Sequence, residues 1–258
     1  MTGPPRSVPA PDPHTLVRAH TVYSCVMGSR AFGLDTAASD TDRRGVFVAP
    51  SELFWRFDKP PTHVDGPAEE QFSWELERFC TLGLRANPTV LECLHSPLVE
   101  YADGTGRELL GLRGAFLSRH AHRTFTGYVD GQHRKIEARV RRGAPPGKPA
   151  MHLLRLQLAL LDLLRTGTLT LDVGEHRDEL LAIRHDETSW AQVEKRLRTL
   201  RATSEAAAAR TPLPAEPDVR RIEDFLVRVR RTSASGPAPD SAPDSGPDSG
   251  SGRRPDRS

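Results

Sequence analysis

Residues 19–27, AHTVYSCVM, make a short β-branched run that stops at Gly28-Ser29. This reads as a strand delivering the chain into a tight turn. Gly28 has no Cβ, so the backbone there can come close to a bound group. Ser29 offers a hydroxyl and an amide at the start of a short helix. Unpaired N–H groups and the positive end of the helix dipole suit a phosphate at such a place. Asp40 and Asp42 follow after a further ten residues. At i and i+2 of an extended segment, two carboxylates point to one face. Like charges that close repel unless a cation lies between them. Mg²⁺ takes oxygen ligands and keeps waters and substrate phosphates as the others. The segment therefore reads as a pair of metal-holding acids beside a phosphate-binding turn.

The surrounding sequence changes character along the chain. Residues 44–49 (RGVFVA) and 70–75 (EQFSWE) read as further strands, the second the weaker. LERFCTLGLRA and TVLECL then show apolar positions at helical spacing. Asn87-Pro88 gives a helix start, Asn as the cap and Pro at the first helical position. From Arg107 onward helix dominates, through 107–142 and MHLLRLQLALLDLLRTG. A Ser- or Thr-capped helix is expected over about 188–208, and a last one over 218–231. The expected fold is α+β: a small mixed-sheet domain over 14–103 followed by a helical domain over 104–231.

Both ends fall outside this pattern. Residues 1–13 carry five prolines, and residues 232–258 contain no Val, Ile, Leu, Met, Phe, Trp or Tyr. Pro-Asp-Ser recurs at 239–241, 243–245 and 247–249. Such segments have nothing to bury and are expected to be disordered. The remaining length suffices for a sizeable core.

Charge is balanced overall, with 36 Lys and Arg against 34 Asp and Glu. That gives no global reason to expect a duplex-DNA binder or a membrane-surface protein. The balance is local in origin, however. Asp35–Glu108 holds fourteen acids and seven bases, whereas Arg113–Arg155 holds ten bases and two acids. One reading is two solvated surfaces; the other is complementary jaws, acids for metal and bases for a polyphosphate. No apolar stretch is long enough to span a membrane. The N-terminus lacks the apolar region of a secretory signal. Cys25, Cys80 and Cys93 are odd in number and sit in apolar contexts, which points to reduced, buried thiols in a cytoplasmic protein.

Gly28-Ser29, ten intervening residues and Asp40-x-Asp42 resemble the signature of the DNA polymerase beta-like nucleotidyltransferase superfamily. Within it, GSRAFGLDTAASDTDRRGVFVAP, FSWELERFC, ANPTVLECLHSP and MHLLRL resemble the predicted nucleotidyltransferases of the YcgL type. The resemblance covers roughly residues 18–231. It implies transfer of a nucleoside monophosphate from an NTP to an acceptor hydroxyl, with release of pyrophosphate. It also implies that Gly28 and Ser29 bind the β- and γ-phosphates. Asp40, Asp42 and a third carboxylate would hold two Mg²⁺ or Mn²⁺ ions. Glu75, at the end of the third strand, is the expected third acid. Glu77 shares its face if the strand continues, and Glu70, five residues earlier, falls on the opposite face.

Arg30 and Arg43 flank the motif, and guanidinium matches phosphate geometry. Arg44 adjoins Arg43 and faces the other way on a strand. His152 and Arg155 share one stripe of a Leu-rich helix at i and i+3, with Lys148 just before it. Two polar groups on such a stripe are costly if buried alone. Facing a nucleotide across a cleft resolves that cost; so does a structural pairing. Arg134 and Lys135 offer further positive charge. Tyr128 and Phe125 suit either a base stack or the core. The acceptor is open among protein, RNA and small molecule. Two other classes compete: a nucleotide- or RNA-binding module without turnover, and an antitoxin-like partner protein.

Overall fold

The computed structural model describes residues 11–37 and 39–235. Helix α1 (Pro13–His20) opens the described chain, and strand β1 (Thr21–Met27) follows it directly. Asp12 caps α1 by accepting from the Thr15 amide at 2.8 Å, and Pro13 occupies the first helical turn. Pro13 thus begins a helix capped by Asp12, although composition had grouped both with a disordered N-terminus. Residues 232–235, also expected to be disordered, continue the last helix, and residues 1–10 and 236–258 lie outside the described residues.

A single turn of helix, α2 (Gly28–Ala31), leads through a loop to β2 (Asp42–Phe47). A 3-10 turn over Ser51–Trp55, then β3 (His63–Asp65) and β4 (Gln71–Glu75), complete this part of the sheet. Two helices follow, α3 (Leu76–Leu84) and α4 (Pro88–Leu94), the latter capped by Asn87 with Pro88 at its start as expected. β5 (Val99–Ala102) closes the five-stranded sheet in the order β3-β4-β2-β1-β5. β2 and β4 run parallel; the other neighbours are antiparallel. The sequence had suggested three of the five strands. β3 and β5 span only three and four residues and carry little alternating pattern.

The remaining chain is helical: α5 (Gly104–Gly111), α6 (His120–Val140), α7 (Gly147–Thr166), α8 (Arg177–Arg184), α9 (Trp190–Ala208) and α10 (Val219–Ser235). α7 is buried on nearly every side, as its leucine density demands. It packs against α6, α8 and α9. Gly167 ends it in the left-handed conformation at φ 75°, which a residue without Cβ adopts freely. Ser189 and Gln192 form a reciprocal capping box on α9. α10 returns to pack on the 3-10 turn at 51–55 and on α3.

Burial joins the two halves. One hydrophobic cluster runs from Tyr23, Cys25, Val46 and Trp74 of the sheet through α3 and α4 to Leu154, Leu160 and Leu164 of α7. The other sheet face has a smaller cluster of Val17, Phe47, Ala49 and Val64 under α1. Each large aliphatic side chain so buried contributes about 1.5–3 kcal/mol of transfer free energy. The three cysteines are free and buried, with Cys25 and Cys93 Sγ atoms 3.5 Å apart. Among the described residues, no helix is long and apolar enough to cross a membrane.

Candidate active site

The antiparallel register of β1 and β2 sets Met27 opposite Asp42. Gly28 therefore lies beside Asp42, at φ 67°. A Cβ at Gly28 would stand 3.2 Å from Asp42 Cβ and 3.3 Å from its Oδ2. Any larger residue strains the backbone and presses on the carboxylate. The turn after the first strand and the acid at the start of the second are thus one piece of structure.

The turn is held from behind. The carbonyl of Phe32 accepts from Val173 N at 3.1 Å. That of Gly33 accepts from Arg177 Nε at 2.8 Å, and that of Leu34 from Arg184 Nη1 at 3.0 Å. The loop before α8, and α8 itself, therefore satisfy three successive carbonyls. Arg177 and Arg184 escaped the sequence reading. Their i, i+7 spacing on one helix stripe was the available signal.

Asp42 is half-buried and ion-paired with Arg44, two residues along the same strand face. Its Oδ1 is buried and is the oxygen that takes the Arg44 ion pair, while Oδ2 lies on the Gly28 side. Burial raises its pKa, Arg44 opposes that rise, and the nearby Glu70 carboxylate adds to it. Lys148 acts in the opposite sense on Asp42 across the cleft. Asp40 is exposed, just ahead of β2.

The sheet register separates the remaining acids. Parallel pairing places Arg43 opposite Gln71 and Phe47 opposite Glu75. Asp42 is thus level with Glu70, while Glu75 stands five residues further along, about 16 Å away at strand rise. Glu75 is buried and caps α3 by accepting from the Glu77 amide at 2.8 Å. Its other oxygen accepts from Arg230 Nη2 at 2.8 Å. The expectation of Glu75 as third acid is therefore corrected: it joins α3 to α10 and does not face Asp42. Glu77 lies near the same Arg230, at 3.7 Å. Glu70 is exposed, sits at φ 53°, and its carbonyl accepts from Arg43 N at 2.8 Å. It had been set aside for facing away from Glu75, which is the property that brings it beside Asp42.

The arginines separate in the same way. Arg43 Nε is shared between both oxygens of Glu100 on β5, at 3.1 Å each, on the sheet face away from Asp42. Arg30 is exposed and gives one guanidinium N–H to the Ser39 carbonyl at 2.9 Å. Arg155 is buried, bonds Glu92 of α4 at 2.8 Å and lies 3.7 Å over the Phe32 ring. Arg43 and Arg155 are thus engaged structurally, and the phosphate role expected of them is not what the structure gives them. His152 lies edge-on to Phe32, with ring centroids 6.4 Å apart. Burial, with Arg155, Lys148 and Arg184 around it, lowers its pKa to about 4, so the imidazole is neutral at pH 7. Lys148 opposes the rise in the Asp42 pKa, and His152, one turn further along α7, meets Phe32 just after the turn.

Among the described residues, no three His, Cys, Asp or Glu side chains converge as a metal cage. The donor set nonetheless fits a hard divalent cation in kind. Asp42 offers its Oδ2 on the Gly28 side, the Glu70 carboxylate is near enough to raise the Asp42 pKa, and Asp40 precedes Asp42 by two residues on the chain.

A strand, a Gly-Ser turn and an acid facing that turn from the next strand are the features that the resemblance to the polymerase beta-like superfamily leads one to expect. The family model of the RNA repair pathway DNA polymerase beta family, RlaP, matches residues 13–228, and the chain belongs to that family. The chain is also similar to a Bacillus subtilis (strain 168) protein described as uncharacterized protein YcgL, with 30% identity over 129 residues. That match covers 45% of this chain and 50% of the relative, so the chain spans about half the length of the curated relative it matches. No solved structure matches the chain.

Proposed function

We propose that this protein transfers a nucleoside monophosphate from an NTP to a hydroxyl of RNA, with release of pyrophosphate. The observation that supports the reading is the close approach of Gly28 to Asp42, which sets the Gly-Ser turn against a carboxylate whose Oδ2 lies on the turn's side. The family's description favours RNA over a protein or small-molecule acceptor.

The chain's own residues divide the work. Gly28 and Ser29 receive the β- and γ-phosphates, and Lys148 neutralises phosphate charge from the opposite side of the cleft. Asp40, Asp42 and Glu70 would hold Mg²⁺ or Mn²⁺. Bound there, the ions would lower the pKa of the acceptor hydroxyl and stabilise the leaving pyrophosphate. Arg44 holds Asp42 in place along β2. In the reaction the acceptor oxygen bonds to the α-phosphorus and the Pα–O–Pβ bond breaks. The electron pair leaves with pyrophosphate, and the acceptor proton passes to solvent.

The test is label transfer from each α-phosphate-labelled NTP, with Mg²⁺ or Mn²⁺, to RNA oligonucleotides, extract proteins and small molecules. Label is expected on RNA with the parent, and none with Asp40→Asn/Asp42→Asn. Glu70→Gln is expected to lose most of the transfer and Glu75→Gln to keep it. Undiminished transfer by the double variant refutes the site. Label on protein or small molecules alone refutes the RNA acceptor.

A further inference from the structure

A cavity of about 270 Å³ opens between α6 and α7, lined by Tyr128, Gln132, Pro149, His152, Arg155 and Leu156 among others. Its position relative to the turn is fixed by a chain of contacts. Phe32 follows α2, and its amide donates to the Gly28 carbonyl at 3.2 Å. The Phe32 ring meets both the His152 ring and the Arg155 guanidinium. His152 and Arg155 both line the cavity. The cavity thus neighbours the chain that leaves the turn, through the contacts of His152 and Arg155 with Phe32.

Its walls suit a nucleobase. The two aromatic residues of α6 separate cleanly: Phe125 is wholly buried, whereas Tyr128 is 47% exposed and lines the cavity. A flat ring so exposed offers a stacking surface that any base can use. Gln132 lies at i+4 from Tyr128, on the same helix stripe, with a donor and an acceptor on one amide. His152 supplies a neutral imidazole, again one donor and one acceptor. The floor guanidinium of Arg155 is already committed to Glu92 and Phe32, so the cavity presents hydrogen-bonding groups and an aromatic face rather than an anion hole.

We propose that this cavity is the nucleobase subsite of the bound NTP, with Tyr128 stacked on the base and Gln132 and His152 presented to its polar edge. The proposal rests on the NTP reading above. Its test compares affinities of the full chain for each NTP and for inorganic tripolyphosphate, in Mg²⁺, by titration calorimetry. Tyr128→Ala is expected to weaken NTP binding roughly tenfold or more, the scale of a lost stack, and to leave tripolyphosphate unchanged. Tyr128→Phe keeps the ring and is expected to bind as the parent does. Gln132→Glu exchanges an amide donor for an acceptor and is expected to alter the ranking of the four NTPs. Tyr128 is half exposed on its helix, and unchanged urea unfolding of the variants confirms that the fold is intact. NTP affinity unchanged in Tyr128→Ala overturns the subsite while the NTP reading stands. Equal weakening toward tripolyphosphate overturns it too. A parent that binds neither ligand overturns both proposals.

Discussion

Glu92 and Arg155 form an ion pair with almost no access to water, and replacing Glu92 by Gln isolates the cost of burying it. The two side chains are each 7% exposed, and Arg155 Nη1 donates to Glu92 Oε1 at 2.8 Å. Gln keeps the volume and one acceptor oxygen, so little cavity is made. It removes the countercharge from a guanidinium that has almost no water. Breaking one side of a buried pair costs about 3–5 kcal/mol, because the partner is left buried and uncompensated. The Phe32 ring under Arg155 recovers part of this, since a cation–π contact is worth about 0.5–2 kcal/mol. The guanidinium recovers nothing at Nε, which is buried with no hydrogen bond. A net loss of about 2–4 kcal/mol is expected. For a chain of this size that lowers Tm by roughly 4–16 °C.

The assay is urea unfolding followed by circular dichroism, on the parent, Glu92→Gln, Arg155→Met and the double variant. The double variant restores an uncharged pair of similar volume and is expected to lie closer to the parent than Glu92→Gln does. A Glu92→Gln loss below about 1 kcal/mol would refute the reasoning, as would strict additivity of the two single changes.

The other expectations are briefer. His152 has a pKa of about 4 in the fold against 6.5 ordinarily, so as pH falls below 6.5 the unfolded chain takes a proton that the folded chain refuses. Stability should therefore fall between pH 6.5 and 4 by up to about 3 kcal/mol; His152→Gln should flatten that limb in urea midpoints taken at pH 7, 5.5 and 4.5, and an unaltered slope counts against it. Gly106→Ala sets a Cβ 2.0 Å from the Val22 carbonyl oxygen, so α5 must move off β1. It should destabilise by about 3 kcal/mol, and an unchanged thermal midpoint would contradict the close approach. Glu75→Gln should cost about 3 kcal/mol through Arg230 while transfer at saturating NTP persists, which separates a structural acid from a metal-holding one.

What was legible in the sequence followed local rules. The capped starts of α4 and α9 and the leucine periodicity of α7 each declare themselves within a few residues. So does the Gly-Ser turn, whose meaning depends only on its neighbours along β1 and α2. Asp12-Pro13 was an equally local helix start, hidden by the proline count around it. The third acid was not local. β2 and β4 pair in parallel across 23 intervening residues that include β3, and only their register decides which glutamate stands level with Asp42. An i, i+5 offset between Glu70 and Glu75 reverses the face, so choosing the wrong partner also rejected the better one. Arg155 posed the same problem. Its stripe on α7 showed that it needed a partner, but Glu92 lies 63 residues away on α4.

These non-local partners also decide where the fold commits its guanidinium groups. Five arginines are spent on structural contacts: Arg43 on Glu100, Arg155 on Glu92, Arg177 and Arg184 on turn carbonyls, Arg230 on Glu75. Arg44 is the exception, and it is tied to Asp42 within one strand. Lys148 is exposed at the start of α7, and that start is fixed by Asp186, which accepts from the Gly147 amide at 2.8 Å. The helix start thus presents the Lys148 ammonium to solvent. In the proposed reaction that ammonium would meet the phosphates of the NTP, and a lysine suits the task because its charge needs no fixed fork geometry.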